Sequence, residues 1–397
     1  MKNKFLCIIF VLLLGASFVV WALPADKASF EKENREPATL PELNAKTLKN
    51  GTFMTDFESY VNDSVGFRSC FTSFSTMLEG NFGIQPPDGK VIYTNKDIGT
   101  ATVKKACLLL LEDKVMEAFS ADEKQEKVYA DTVNIYEENT ADDINVYSMI
   151  IPTQLQFQIP LYKNIQSDQK ETIDYIYSME NENVRKVDAY SELEKHSDEY
   201  IYFRTDHHWT MLGAYYAYTA FAKEAGFEPV SLDNFEKTKV EEGFLGYLYN
   251  QVEDKNLQKY KDHVEWFNID DFYDLSYEFL SFDKNGNATP YNATMLDRTA
   301  TNYSFFFISD HPYAKIHNNT VTNGKTILVI KDSYANAFTP WLVNDYENVI
   351  MIDPRSFKGN ISDVITNDNV TDILMMHYVF TTTFDDYCEL MVDMWTN

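Results

Sequence analysis

The sequence predicts an α/β protein built on a parallel sheet covered on both faces. Apolar runs of strand length, at 144–151, 326–330, 349–352 and 372–376, read as strands buried on both sides. Segments with helical spacing and capping residues fall between such runs, which is the alternation that a parallel sheet requires. The run at 326–330 leads straight into Ser333, and parallel sheets bind ligands at the carboxyl ends of their strands.

Taken in order, Lys2 and Lys4 precede an apolar stretch from Phe5 to Leu23. It is about 19 residues long, near the minimum for a membrane span, and its basic flank stays inside. Residues 1–24 are therefore expected to be an uncleaved signal anchor, with a cleaved signal peptide as the alternative because Trp21-Ala22-Leu23-Pro24-Ala25 is not a clean small-x-small site. Residues 25–100 are expected to hold a polar stalk and an N-terminal helical segment near Phe57 to Asp63. Residues 101–397 form the α/β domain. Within it Ser120-Ala121-Asp122-Glu123 reads as a capping box opening a helix to about 138. Pro152 stops the strand at 144–151. A helix follows at 168–179, then short strands at 184–187 and 201–203. A helix at 211–225 ends at Gly226, which suits a left-handed cap. The stretch at about 240–305, rich in Tyr, Phe, Asp and Asn, breaks the alternation and is expected to be an irregular insertion over the site.

A formal net charge of -27 repels phosphate backbones, so nucleic acid is excluded as a partner. Cys7 lies in the apolar stretch. Cys70, Cys107 and Cys388 leave an odd number beyond it, with neither a CxxC pair nor a metal-ligand spacing. One disulfide with a thiol and three thiols both remain open, and the domain must rely on its core rather than on a disulfide framework.

The chemistry resides in two runs, Thr205-Asp206-His207-His208-Trp209-Thr210 and Lys331-Asp332-Ser333-Tyr334-Ala335-Asn336-Ala337-Phe338. Asp206 and His208 are two apart, so in an extended segment they share a side and His207 and Trp209 take the other. A bend would let the carboxylate orient the imidazole. Ser333 at a strand-to-helix turn supplies a hydroxyl beside helix N–H groups that can hold an oxyanion. Taken singly, the same residues read as helix caps; their pairing favours a Ser-His-Asp set. A metal would need Asp206, His207 and His208 joined by His311 or His377, and no ligand spacing supports it; neither metal nor cofactor is expected. Around the set, Trp209 either packs a sugar or, more simply, braces the dyad. Tyr334 either donates a proton or packs. Asn336 either points its amide at the oxyanion or lies on a helix surface. His311 sits in a polar turn that could face the pocket, and Arg355 pairs with Asp353 beyond the strand at 349–352.

Thr205-Asp206-His207-His208-Trp209 resembles the signature of the DHHW proteins of Gram-positive bacteria, which are similar to the SGNH hydrolase-like domain of alginate O-acetylation proteins. In that group a DxHW segment precedes a strand ending in a K-D-S-Y-x-x-x-F-like run, here Lys331 to Phe338. Glu33-Asn34-Arg35, Asn62-Asp63 with Phe67-Arg68, Gly243-Phe244-Leu245-Gly246 and Ile352-Asp353-Pro354-Arg355 fit as well, so the resemblance spans roughly 30–380. It implies an SGNH-like doubly wound parallel sheet, a triad of Ser333, His208 and Asp206, and a membrane-tethered or secreted, extracytoplasmic O-acetyltransferase or acetylesterase. The partners it implies are a polysaccharide acceptor, an acyl donor and a membrane-bound acyltransferase; the rival reading is a glycan-binding or envelope-assembly protein without turnover. One departure is Ile308-Ser309-Asp310-His311-Pro312, where the group often has a Gly-Gly-Asn-like turn. Backbone donors there would be aimed differently, leaving the Ser333 N–H or Asn336 to face the oxyanion.

Overall fold

The computed structural model describes residues 89–94, 106–158 and 165–396, with isolated positions between 39 and 61. The expected anchor at 1–24, Cys70, most of the stalk, and the Glu33-Asn34-Arg35 and Phe67-Arg68 pieces lie outside the described residues. Among the described residues no helix is long and apolar enough to cross a membrane. The chain divides into two units, Met1–Gly89 and Lys90–Asn397. In the first, Phe53 and Phe57 have helical backbone and stack their rings at 5.7 Å, as side chains four apart on a helix do.

The second unit begins with an antiparallel sheet of β1 (Lys90–Thr94), β2 (Ala106–Leu110) and β3 (Val115–Ala118). Helix α1 (Glu123–Glu138) follows, capped by Asp122, whose carboxylate accepts from the N–H groups of Lys124 and Gln125. Glu126 reaches back to the Asp122 N–H at 2.9 Å, so the reciprocal cap is Asp122 with Glu126 rather than Ser120 with Glu123. Then come β4 (Asn145–Ile151), α2 (Gln169–Met179), β5 (Arg185–Lys186), α3 (Ala189–Lys195) and α4 (Met211–Ala225). Helix α4 ends at Gly226 with φ 82, the left-handed conformation that a residue without Cβ adopts readily. Beyond it lie β6 (Lys237–Lys239), α5 (Tyr247–Val252), β7 (Glu265–Phe267), α6 (Ile269–Phe272), β8 (Leu275–Phe282), β9 (Ala288–Tyr291), β10 (Tyr313–Asn318), β11 (Thr326–Lys331), α7 (Ala335–Leu342), β12 (Asn348–Ile352), α8 (Ile361–Asn367), β13 (Asp372–Tyr378) and α9 (Asp385–Asp393).

The central sheet has eight strands in the order β5-β4-β13-β11-β12-β10-β8-β9. The five from β5 to β12 pair in parallel. The other three are antiparallel, so the sheet is mixed and not the wholly parallel one expected. The physical reason is readable in β8. From Leu275 to Phe279 its residues alternate between exposed Ser276 and Glu278 and more buried Leu275, Tyr277 and Phe279, the pattern of an antiparallel strand with one wet face. The segment at 240–305 is thus not simply an irregular insertion, since it supplies two strands of this sheet. By contrast β11 and β13 are buried at every position, as central parallel strands must be. The expected strand at 201–203 is a single bridge from Tyr202 to Trp209.

Candidate active site

The segment between Tyr202 and Trp209 is a tight loop. Phe203 N–H donates to the His208 carbonyl at 3.2 Å and Thr210 N–H to the Ile201 carbonyl at 2.9 Å, which sets Asp206, His207 and His208 at the tip. The buried carboxylate of Asp262 holds this loop from below. It accepts from Tyr200 Oη at 2.6 Å, from the N–H groups of Arg204 and Thr205 at 2.7 Å each, and from Thr205 Oγ1. Burial pushes the Asp262 carboxyl up against the pull of these donors. Thr210 caps α4, accepting from Gly213 N–H.

Ser333 stands where β11 ends. Asp332 fixes its turn: Oδ1 accepts from Tyr334 N–H at 2.9 Å, and Oδ2 accepts from Tyr378 N–H and Thr381 Oγ1 at 2.8 Å each, tying the turn to the end of β13. Trp209 Nε1 donates to the Tyr334 carbonyl at 2.8 Å, which joins the loop to the turn. The two runs, more than a hundred residues apart in sequence, meet here.

His208 bridges them. Its Nδ1 lies 2.6 Å from Asp206 Oδ1 and its Nε2 lies 2.7 Å from Ser333 Oγ. A carboxylate only accepts, so Nδ1 carries the proton and Nε2 accepts from the serine hydroxyl. The bend that permits this is closed by His208 N–H donating to the same Asp206 Oδ1 at 3.1 Å. Asp206 Oδ2 accepts from Tyr247 N–H at 2.9 Å. Burial opposes charge on Asp206, yet His208, His207 and the Tyr247 N–H hold its carboxyl well below the usual range. Gly246 makes this approach possible, because a Cβ there would lie 2.4 Å from Asp206 Cβ.

The other expected site residues are distributed less simply. His207 does not turn away: its ring lies 3.8 Å from the ring of His208, centre to centre, and its Nδ1 is 3.7 Å from Asp206 Oδ1. Trp209 is completely buried, so its ring is a brace and not a sugar platform. Tyr334 donates its hydroxyl to the His207 carbonyl and stacks on Tyr378 at 4.9 Å; it packs. Asn336 is neither on the surface nor aimed at an oxyanion. Its Oδ1 accepts from Lys331 Nζ at 2.7 Å and its Nδ2 donates to Asp310 Oδ1 at 3.0 Å, because the wholly buried Lys331 ammonium needs partners. Asp310 also accepts from Lys331 Nζ at 2.7 Å and from Arg355 Nη2 at 2.6 Å. Arg355 forks onto Asp353 through Nε at 2.8 Å. His311 lies outside the triad, its Nε2 donating to the Phe307 carbonyl at 2.6 Å and its Nδ1 meeting Tyr291 Oη. At the start of the turn from Ile308 to Pro312, Phe307 and Ile308 take φ 60 and 62.

Asp206, His207 and His208 bring potential metal-ligating atoms within 4.8 Å of one another, but a metal on His208 Nδ1 would have to break its bond to Asp206. Neither His311 nor His377 joins them; His377 Nδ1 meets Tyr129 Oη in the core at 2.9 Å. Sequence reading missed Tyr303, Asp262 and Glu117. Only Glu117 left a local signal, as a single acid among the apolar residues of β3.

Asp206, His208 and Ser333 thus meet in hydrogen-bond contact at the carboxyl end of a central strand of a mixed α/β sheet, with the geometry of a Ser-His-Asp cluster. The family described as DHHW protein matches residues 87–352, and the chain belongs to that family. A DHHW family protein from Eubacterium siraeum is similar in structure, with TM-score 0.64, 25% identity, and 72% of this chain and 95% of that one covered. PatB1 of Bacillus cereus gives TM-score 0.60 at 19% identity, covering 71% and 99%. The same protein solved with a sulfonyl adduct gives 0.60 at 18%, covering 71% and 97%. No curated protein sequence matches the chain.

Proposed function

We propose that the chain is a serine O-acyltransferase or acetylesterase that acts outside the cytoplasm on a cell-surface or exported polysaccharide. The observation that carries this reading is the continuous line Asp206–His208–Ser333, with contacts of 2.6 and 2.7 Å. Ser333 Oγ attacks the donor's acyl carbonyl while His208 Nε2 takes its proton. The tetrahedral intermediate collapses, the donor's leaving group departs with that proton, and an acyl-Ser333 ester remains. A sugar hydroxyl, or water, then gives its proton to His208 and attacks the ester, releasing Ser333 with its hydroxyl restored. Asp206 holds the imidazole's tautomer and stabilises its cationic form. The Ser333 N–H, at the start of the turn into α7, serves as an oxyanion donor. Neither step calls on a metal or a cofactor.

The site at the carboxyl end of β11, in a core of parallel strands, supports the SGNH-like reading of the fold. The rival glycan-binding reading rested on the missing glycines of the turn from Ile308 to Pro312; the Asp206–His208–Ser333 contacts favour turnover instead. In this proposal residues 5–23 tether the domain to the membrane, or a cleaved signal secretes it, and a membrane-bound acyltransferase supplies the acyl group. Protease added to intact, wall-stripped cells should digest the domain; protection of the domain would remove the extracytoplasmic glycan from the reading.

The test of chemistry is labelling by a sulfonyl fluoride or fluorophosphonate, read by mass spectrometry of the modified peptide. Ser333 should label, and Ser333→Ala and His208→Ala should not, with circular dichroism unchanged. A folded wild-type chain that stays unlabelled would overturn the catalytic reading.

A further inference from the structure

Beside Asp206, between β3 and the 202–209 loop, lies a cavity of about 10 Å³ lined among others by Glu117, Asp206, His207 and Tyr202. That is the room a single water needs. Two of its lining residues each carry a buried side-chain atom with no hydrogen-bond partner among the described residues, Glu117 Oε1 and His207 Nδ1. Glu117 is 3% exposed. A buried polar atom left unpaired costs about 1–3 kcal/mol, so two such atoms on residues that line one water-sized space are best satisfied by one bridge. The wall that carries Glu117 is tied to the loop, since Val115 N–H donates to the Arg204 carbonyl at 2.8 Å.

We propose that Glu117 is a positioning residue for the triad, joined to His207 Nδ1 through one buried water and holding the His207 ring against His208. This deepens the catalytic reading above and rests on it. The charged and titratable groups facing the pair are Asp206, His208 and Asp332, with the rings of Tyr247, Tyr334 and Tyr378 around His207. Burial raises the Glu117 carboxyl to about 7, and burial together with His208 lowers the basicity of His207. Glu117 therefore gains charge near neutrality while His207 stays neutral. A second carboxylate next to Asp206 favours the imidazolium that forms on His208 when Ser333 attacks.

The experiment follows Ser333 labelling by a sulfonyl fluoride from pH 5.5 to 9 on the full chain. Glu117→Gln copies the protonated acid, so it should match wild type at pH 5.5 and fall about three- to tenfold behind it at pH 8.5. Glu117→Ala, which loses the bridge, should be slower at every pH. A purely structural role would slow Glu117→Gln equally at all pH, and that result would overturn the inference, as would Glu117→Gln tracking wild type throughout. A wild-type chain that never labels would sink the Ser333 reading and this inference together. A crystal structure of the unaltered protein gives an independent readout: an ordered water within hydrogen-bond distance of Glu117 and His207 supports the bridge, and a dry cavity or a bound cation refutes it.

Discussion

The ring of Tyr303 lies flat against the ring of His208, with centroids 3.6 Å apart and planes 7° apart. The Tyr303 hydroxyl also donates to the Ser333 carbonyl at 2.8 Å and lies 3.2 Å from that of Tyr334. One side chain thus sets the plane of the His208 ring and the turn that carries Ser333. It comes from a short turn that Asn302 caps, accepting from Ser304 N–H at 3.0 Å.

If both contacts matter, they separate by substitution. Tyr303→Phe keeps the ring and loses the hydroxyl, and should slow Ser333 labelling about threefold to tenfold, the usual scale of one hydrogen bond. Tyr303→Ala loses both and frees the imidazole, so the fall should approach about 100-fold. Equal rates for the two variants, with the fold intact, would show that the stack contributes nothing.

Gly246→Ala should damage the site from behind. The new Cβ would lie 2.6 Å from Asp206 Oδ2 and 2.8 Å from Asp206 Cα as well, and the carboxylate must shift. A displacement of that order costs about 100-fold in rate and about 1–3 kcal/mol in stability. Gly243→Ala is the comparison, since its Cβ meets side-chain atoms of His263 and Lys261 at 3.0 Å and the Asp262 carbonyl oxygen at 3.2 Å, with no atom of Asp206 among its nearest contacts. Comparable labelling by Gly246→Ala and Gly243→Ala would refute the close-approach argument.

The meeting of Asp206, His208 and Ser333 was legible in the sequence because they lie in two short runs whose spacing and strand context suit a Ser-His-Asp cluster. Strands β4, β11, β12 and β13 were legible because both their faces are buried, which leaves unbroken apolar runs. Strand β8 was not, because an alternating strand with polar residues reads as loop when its partner, β10, lies some thirty residues further on, and β9, exposed at every position, carries no apolar pattern at all. The run Ile201-Tyr202-Phe203 has strand composition but spends it on a loop, since its neighbours Arg204 and Thr205 are captured by Asp262. Tyr303 and Asp262 reach the site only through tertiary packing, so no local pattern announces them. Asn336 misled for a related reason: the burial of Lys331, which claims its amide, is a property of the folded sheet.

Replacing Ile308 by glycine should stabilise the protein. Ile308 holds φ 62, a conformation in which Cβ crowds the backbone, and the residue is 39% exposed, so the burial lost is smaller than at Phe307 and offsets only part of the strain relieved. The gain expected is about 0.5–1 kcal/mol, read as a higher midpoint in urea. Phe307 shares the conformation but is completely buried, so Phe307→Gly should lose about 3 kcal/mol through its cavity. Destabilisation by Ile308→Gly would mean that the side chain, and not the backbone, fixes this turn.

The last prediction concerns pH and Glu180, which caps the end of α2. Its Oε1 accepts from Ser148 Oγ at 2.7 Å while Oε2 is buried without a hydrogen-bond partner among the described residues. Burial raises its carboxyl to about 7, against the pull of Ser148 and Lys186. The folded state therefore keeps a proton that the unfolded chain releases near 4.5. The contribution to stability is complete below that value, falls as pH rises toward 7, and changes no further above it. At full extent it is on the order of 3 kcal/mol. Asp206 and Asp310 are shifted the other way and lose their contribution only in acid, below the ordinary aspartate range, so the windows do not overlap. Glu180→Gln keeps the acceptor for Ser148 and cannot ionise. Its unfolding free energy in urea should fall less than that of wild type between pH 5 and pH 8, leaving the variant the more stable protein at pH 8. Parallel pH slopes for the two proteins would show that Glu180 is already ionised in the fold at pH 5.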